Sequence, residues 1–94
     1  MIRLDQVSFT PAPEWERRRG LLGFLKFVLP EGLLVDGVAL RRSPDGRYLF
    51  TWPAKKDRFG RERHHVRPLD DEARRAIEGE LLDHLKPWLR GGAA

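Results

Sequence analysis

The chain contains no cysteine, which excludes a disulfide framework, a thiol nucleophile and every thiolate metal site. It also lacks internal repeats, low-complexity tracts and any long apolar run. The longest such stretch, Leu21 to Leu29, is interrupted by Lys26 and falls far short of the roughly 20 residues a membrane span needs. It lies behind Arg17-Arg18-Arg19 with no small-residue cleavage site, so it does not read as a secretory signal. The expectation is a cytoplasmic protein that has no membrane segment. No Ser/His/Asp arrangement and no Gly-rich phosphate loop stands out, so no catalytic residue, cofactor or small-molecule substrate is expected.

What remains is a chain of 94 residues, 40% hydrophobic and 34% charged, an ordinary globular composition. The length fits one domain, expected over residues 1–90, with 91–94 as a flexible tail. Three Trp, five Phe and one Tyr are enough to anchor a core, but a thin one. A chain of this size buries only about 60% of its unfolded surface or slightly more, so a partner subunit would help it.

Charge is distributed unevenly. Residues 1–54 carry a net of +2 and residues 68–94 a net of −2. Between them, residues 55–67 place Lys55, Lys56, Arg58, Arg61, Arg63 and Arg67 against Asp57 and Glu62, a net of +4 that equals the excess of the whole chain. His64 and His65 lie in the same stretch and add to it below about pH 6.5. A concentrated positive field of this kind attracts polyanions such as nucleic acid. A solvated loop that keeps the protein soluble is the alternative.

The chain reads as strands followed by one helix. Ile2 to Phe9 is a first strand in which Ile2 and Leu4 share one phase and Val7 and Phe9 the other, so a bulge is expected around Asp5-Gln6. Thr10-Pro11-Ala12-Pro13 breaks it, and Glu14 to Arg19 is a charged connector. Leu21 to Leu29 is apolar on both faces, which predicts a central strand or one covered on two sides. After the turn at Pro30-Glu31-Gly32, Leu33 to Arg41 forms a third strand with a bulge at Asp36-Gly37. Ser43-Pro44-Asp45-Gly46 is a turn by its chemistry. The strand Arg47 to Trp52 then puts Tyr48, Phe50 and Trp52 on one face, Pro53 stops it, and Phe59-Gly60 marks a loop apex before a short polar strand over Arg61 to Val66.

Pro68 to Glu72 starts a helix, capped by Asp70 or Asp71. Ala73, Ile77, Leu81 and Leu85 recur every four residues as its buried stripe, with Leu82 and Trp88 at the margin, and Pro87 and Gly91-Gly92 end it. The predicted fold is α+β, an antiparallel sheet of four to five strands with one C-terminal helix packed on it.

The segment Pro53-Ala54-Lys55-Lys56-Asp57-Arg58-Phe59-Gly60, followed by Pro68-Leu69, resembles the SpoVG or septation-protein family (stage V sporulation protein G). That family shows a strand ending in Pro, a small residue, two basic residues, a Gly-containing turn and a second Pro before the C-terminal helix. Asp36, Gly46 to Phe50, Arg74 and Ile77 also match, and the resemblance covers most of residues 1–85. The chain departs from the pattern at His64 and His65, where the family commonly has an Asp and an apolar residue, and in the lengths of the segments around Pro11 to Arg19 and Ser43 to Gly46. The resemblance implies a small α+β domain, usually dimeric, that binds DNA and also RNA, regulates gene expression and has no catalytic activity.

On physical grounds the basic stretch fits that implication, because Lys and Arg that neutralise phosphates release condensed counterions. The candidate nucleic-acid-binding residues are Lys55, Lys56, Arg58, Arg61, Arg63, Phe59, Arg67 and Arg74. Phe59 either stacks on an unpaired base or packs back onto the sheet. Arg74 and Arg75 either extend the patch or pair with acids on a solvated face. Tyr48, Phe50 and Trp52 are expected as the core face under the helix rather than as a stacking platform, with Trp52 the least buried of them. No metal site is expected, since adjacent His64 and His65 point to opposite sides of a strand. Homodimerisation is expected from the thin core and the two apolar faces of 21–29. The rival reading is a non-catalytic protein–protein interaction module acting through its dimer or apolar strand surface.

Overall fold

The computed structural model describes residues 4–90; Ile2 of the expected first strand and the expected tail at 91–94 lie outside the described residues. The element order is β1 (Asp5–Pro11), α1 (Glu14–Arg17), β2 (Leu21–Leu29), β3 (Leu33–Arg42), β4 (Tyr48–Thr51), β5 (Ala54–Lys56), β6 (Glu62–His64) and α2 (Asp71–Arg90). Strands β1 to β4 form one antiparallel sheet in sequence order, and β5 and β6 pair in a separate two-stranded ribbon. The fold is α+β, with the C-terminal helix on one face of the sheet.

Two bulges put the apolar residues on that face. Asp5 pairs with Val28 and Ser8 with Lys26, so Gln6 and Val7 together oppose Phe27; Gln6 takes a positive φ of 50° there. The extra residue reverses the alternation, and Leu4, Val7 and Phe9 all reach the same core despite their opposite phases in the sequence. In β3, Val38 pairs with Leu25 and Asp36 with Lys26, leaving Gly37 unpaired at φ 86°. Val35, Val38 and Leu40 can then all be buried. A third irregularity, at Leu22 in β2, has no signal in the sequence.

The core consists of Leu4, Leu25, Phe27, Val35, Val38, Leu40, Trp52, Leu81 and Leu85. Leu81 and Leu85 are the two residues of α2 that are buried, Leu81 completely, while Ile77 and Leu89 pack beside them. Asp70 caps the helix, its Oδ1 accepting from the Ala73 amide at 2.8 Å. Pro87 does not end α2, which runs on to Arg90 with Pro87 inside it. Proline there removes one backbone hydrogen bond, and packing beyond it offsets the loss: the Trp88 ring meets Phe9 edge-on at 4.4 Å, and Leu89 lies on the core.

Two further expectations are corrected, and a third is met in one of its two alternatives. The segment Glu14 to Arg19 is not merely a connector. Its first four residues form a one-turn helix, which Arg17 ties down by donating from Nη1 to the Ala12 carbonyl at 2.6 Å. Strand β1 continues through Thr10 to Pro11, because it is an edge strand where a missing N–H is tolerated. Strand β2 is interior to the sheet, and its second face is covered only in part: Ala39, paired with Phe24, is buried with Ala12 and Leu21, whereas Phe24 is 43% exposed and Lys26 is open to solvent. A single helix cannot cover both sides.

Replacing Leu81 with Ala empties the centre of the helix–sheet contact. The expected cost is about 2–5 kcal/mol, read as a fall in the urea midpoint with little change in slope; a loss below about 1 kcal/mol would place the core elsewhere.

Candidate nucleic-acid interface

The candidate site is the β5–β6 ribbon. Residues of both its strands are exposed throughout, so no core holds it together, and isolated two-stranded ribbons are marginal in water. Its stability is local. The cross-strand pairs are Ala54 with His64, Lys55 with Arg63 and Lys56 with Glu62. The His65 amide donates to the Pro53 carbonyl at 3.0 Å and closes the base.

Asp57 closes the tip. Its Oδ1 accepts from the amides of Phe59 at 2.9 Å and Arg61 at 3.0 Å, and its Oδ2 from Arg63 Nε at 3.2 Å. Its own amide donates to the Arg61 carbonyl at 2.8 Å, and Gly60, at φ 78°, donates to the Asp57 carbonyl. An aspartate that bonds amides further along the chain is an Asx turn. The Arg61 amide is the largest influence on the Asp57 carboxyl; desolvation opposes it, and the Arg63 guanidinium and the Phe59 amide add to it, so the group is held below its ordinary value. Asp57 was not a candidate residue in the sequence, although its spacing to Phe59 and Gly60 carried the turn signal.

Phe59 does not pack back onto the sheet. It stands 70% exposed at the apex, with the guanidinium carbons of Arg58 and Arg61 5.6 and 5.7 Å from its ring centre, within cation–π range. Among the described residues, Lys55, Lys56, Arg58, Arg61 and Arg67 have no carboxylate within ion-pair distance, whereas Arg63 is offset by Asp57. Arg74 is engaged from two sides, by Asp71 and Glu78 at 3.5 Å each. It belongs to the ion-paired face of α2 rather than to the open part of the patch.

A hollow of about 250 Å³ lies between the base of the ribbon and the start of α2, lined by Trp52, His64, Arg67, Pro68, Asp71 and Arg74 among others. Trp52 is the most buried of the three alternating aromatics rather than the least, at 8% exposure. Its Nε1 donates to Glu78 Oε2 at 3.0 Å, and its ring meets Phe27 edge-on. Tyr48 and Phe50 also pack on the core, so this aromatic face is covered and presents no platform. His64 lies 3.5 Å from Glu62, and among the described residues no three His, Asp or Glu side chains gather as metal ligands would. Among the described residues no helix is long and apolar enough to cross a membrane.

Compared with protein-family models, curated proteins and solved structures, the chain matches none.

Because the Asp57 pKa is lowered in the folded state, its contribution is present above the unfolded carboxylate value and is lost as pH falls through the folded one. In an NMR titration the Phe59 and Arg61 amides should shift with a midpoint below 3.8, the unperturbed value. Asp57→Ala should abolish that transition and speed exchange of the tip amides while leaving the core amides protected. A midpoint at or above the ordinary value would remove the carboxylate from the turn.

Proposed function

We propose that the chain is a non-catalytic, cytoplasmic regulatory protein of the SpoVG kind that binds DNA or RNA through the β5–β6 ribbon. The observation that carries this reading is the tip of the ribbon. Lys55, Lys56, Arg58 and Arg61 stand there without carboxylate partners among the described residues, around an exposed Phe59. Free cations exchange condensed counterions for phosphates without reading sequence. An exposed aromatic ring with two guanidiniums close to it is placed to stack on an unpaired base, a contact worth about 1–3 kcal/mol. A two-stranded ribbon is also one of the two elements that a duplex major groove admits. The Asp57 clasp supports the same reading, since a preformed tip loses little freedom on binding. Arg63 and Arg67 flank the contact, Arg63 already sharing its charge with Asp57. The run of residues from Pro53 to Gly60 that resembles the SpoVG pattern is this same ribbon.

A second reading has its own observation. On the face of the sheet away from α2, Phe24, Leu34 and Leu49 are exposed, and Lys26 sits opposite Asp36 at the centre. This surface suits a second copy of the chain or another protein, and a homodimer built on it would supply the cover that one helix cannot.

Two measurements test these readings. In oligonucleotide titrations, four phosphate contacts give log K against log salt a slope of about −3 for single strands and about −4 for duplex. Reversing the charges of Lys55 and Lys56 should abolish binding; binding that survives the reversal sinks the ribbon as the site. Sedimentation at tens of micromolar should show a dimer that Phe24→Glu dissociates, and a wild-type monomer there removes the dimer.

A further inference from the structure

A second cluster of cations lies away from the ribbon. Arg17, Arg18 and Arg19, at the end of α1, converge with Arg42 at the end of β3 around an open cleft of about 330 Å³, completed by Ser43 and Pro44. The two segments are distant in sequence and are fastened together by their backbones: the Arg42 amide donates to the Gly20 carbonyl at 2.7 Å. Gly20, at φ 103°, leaves no room for a side chain, since a Cβ there would meet the Arg42 carbonyl oxygen at 2.7 Å. The cleft is therefore set by the fold rather than by loose surface side chains. It is also separate from the ribbon. Arg42 pairs with Tyr48 at one end of β4, and the ribbon leaves the other end, beyond Thr51.

The charges in the cleft are largely uncompensated. Arg18 is paired with Glu14 at 2.7 Å, and Asp45 at the adjoining turn is taken up by Ser43 and Arg47. Among the described residues no carboxylate lies within ion-pair distance of Arg17, Arg19 or Arg42. Arg17 spends one donor on the Ala12 carbonyl, and its Nε is buried with no partner, an expensive state for a charged group. Arg19 and Arg42 instead lie over the rings of Trp15 and Tyr48, at 5.8 and 5.9 Å. A cation–π contact of this kind restrains a guanidinium without using its N–H donors on a carboxylate. Cations beside a helix C-terminus often need no ligand, but α1 is a single turn and Arg42 comes from another element.

We propose that this cleft is a second anion site, which takes an oligophosphate group. Three uncompensated guanidiniums exceed the charge of one phosphate, which carries about −1.5 to −2 near pH 7, and match two or three phosphates in a row. Planar guanidinium forks suit phosphate oxygens bidentately. Such a group is supplied either by a free oligophosphate or by consecutive phosphates of a nucleic-acid strand.

The test titrates tripolyphosphate into the full-length protein by calorimetry at low salt. Arg19→Gln combined with Arg42→Gln should weaken binding by roughly tenfold or more, while Lys55→Gln with Lys56→Gln should change it by less than about twofold. Pro44→Glu, which adds a negative charge at an exposed rim position, should weaken it as the arginine pair does and guards against a misfolded variant. No tripolyphosphate binding by the wild type, or equal weakening by the ribbon and cleft variants, overturns the proposal. Given the expected pattern, single-stranded oligonucleotide binding identifies the source. Its loss in the Arg19/Arg42 variant assigns the phosphates to a strand, and its persistence assigns them to a free oligophosphate. The site stands even if the ribbon binds no nucleic acid, because the Lys55/Lys56 variant reports on the ribbon separately.

Discussion

One helix covering one face of a four-stranded sheet is the constraint from which the rest of the molecule follows. Leu81 and Leu85 seal Leu25, Phe27, Val38 and Leu40, and fully burying side chains of this kind contributes about 1.5–3 kcal/mol each. The strands are adapted to that single interface. Bulges at Gln6-Val7 and Gly37 bring side chains of conflicting phase to the covered side. Trp52 joins the two layers, edge-on to Phe27 in the sheet and hydrogen-bonded to Glu78 on the helix. Most of the aromatic residues are consumed by this closure, which leaves Phe59, Trp15 and, on the far face of the sheet, Phe24 as the exposed rings.

Charge is confined to the places that the core does not need. The ribbon after Pro53 contributes nothing to the apolar core and holds its shape by backbone pairing and the Asp57 carboxylate. Its cations can therefore stay unpaired without straining the fold. The helix shows the opposite arrangement: Arg74, His84 and Lys86 each have a carboxylate neighbour one turn away, so α2 is close to self-neutralised and adds little field. Exposed pairs of this kind contribute little to stability; here they determine where positive charge remains free.

Much of this was legible in the sequence. The order of strands, the turn at Ser43 to Gly46, both bulge positions and the helix stripe all rest on periodicity or turn chemistry, which are local and can be read directly. Elsewhere tertiary packing overrides a local rule. Pro87 breaks helices in general, yet Trp88 and Leu89 find partners beyond it. Trp52 ends a strand, which suggests a marginal position, yet the fold packs its ring on Phe27 and brings Glu78, 26 residues on, to its Nε1. The single turn of α1 is too short to show a period. At the candidate site, the basic run and the apex were visible, but the Asp57 clasp and the engagement of Arg74 depend on which neighbours the fold brings close.

Each strand of the main sheet pairs with its neighbour in sequence, so its hydrogen bonds close short loops, at low entropic cost. The cover comes from the other end of the chain. A polypeptide made from its N-terminus has all four strands before residues 81 and 85 exist, and its apolar face stays wet for that interval. A sheet that assembles early and is covered late is exposed to sticking during synthesis, and on its far side Lys26 and Asp36 are the charges that interrupt the exposed Phe24, Leu34 and Leu49.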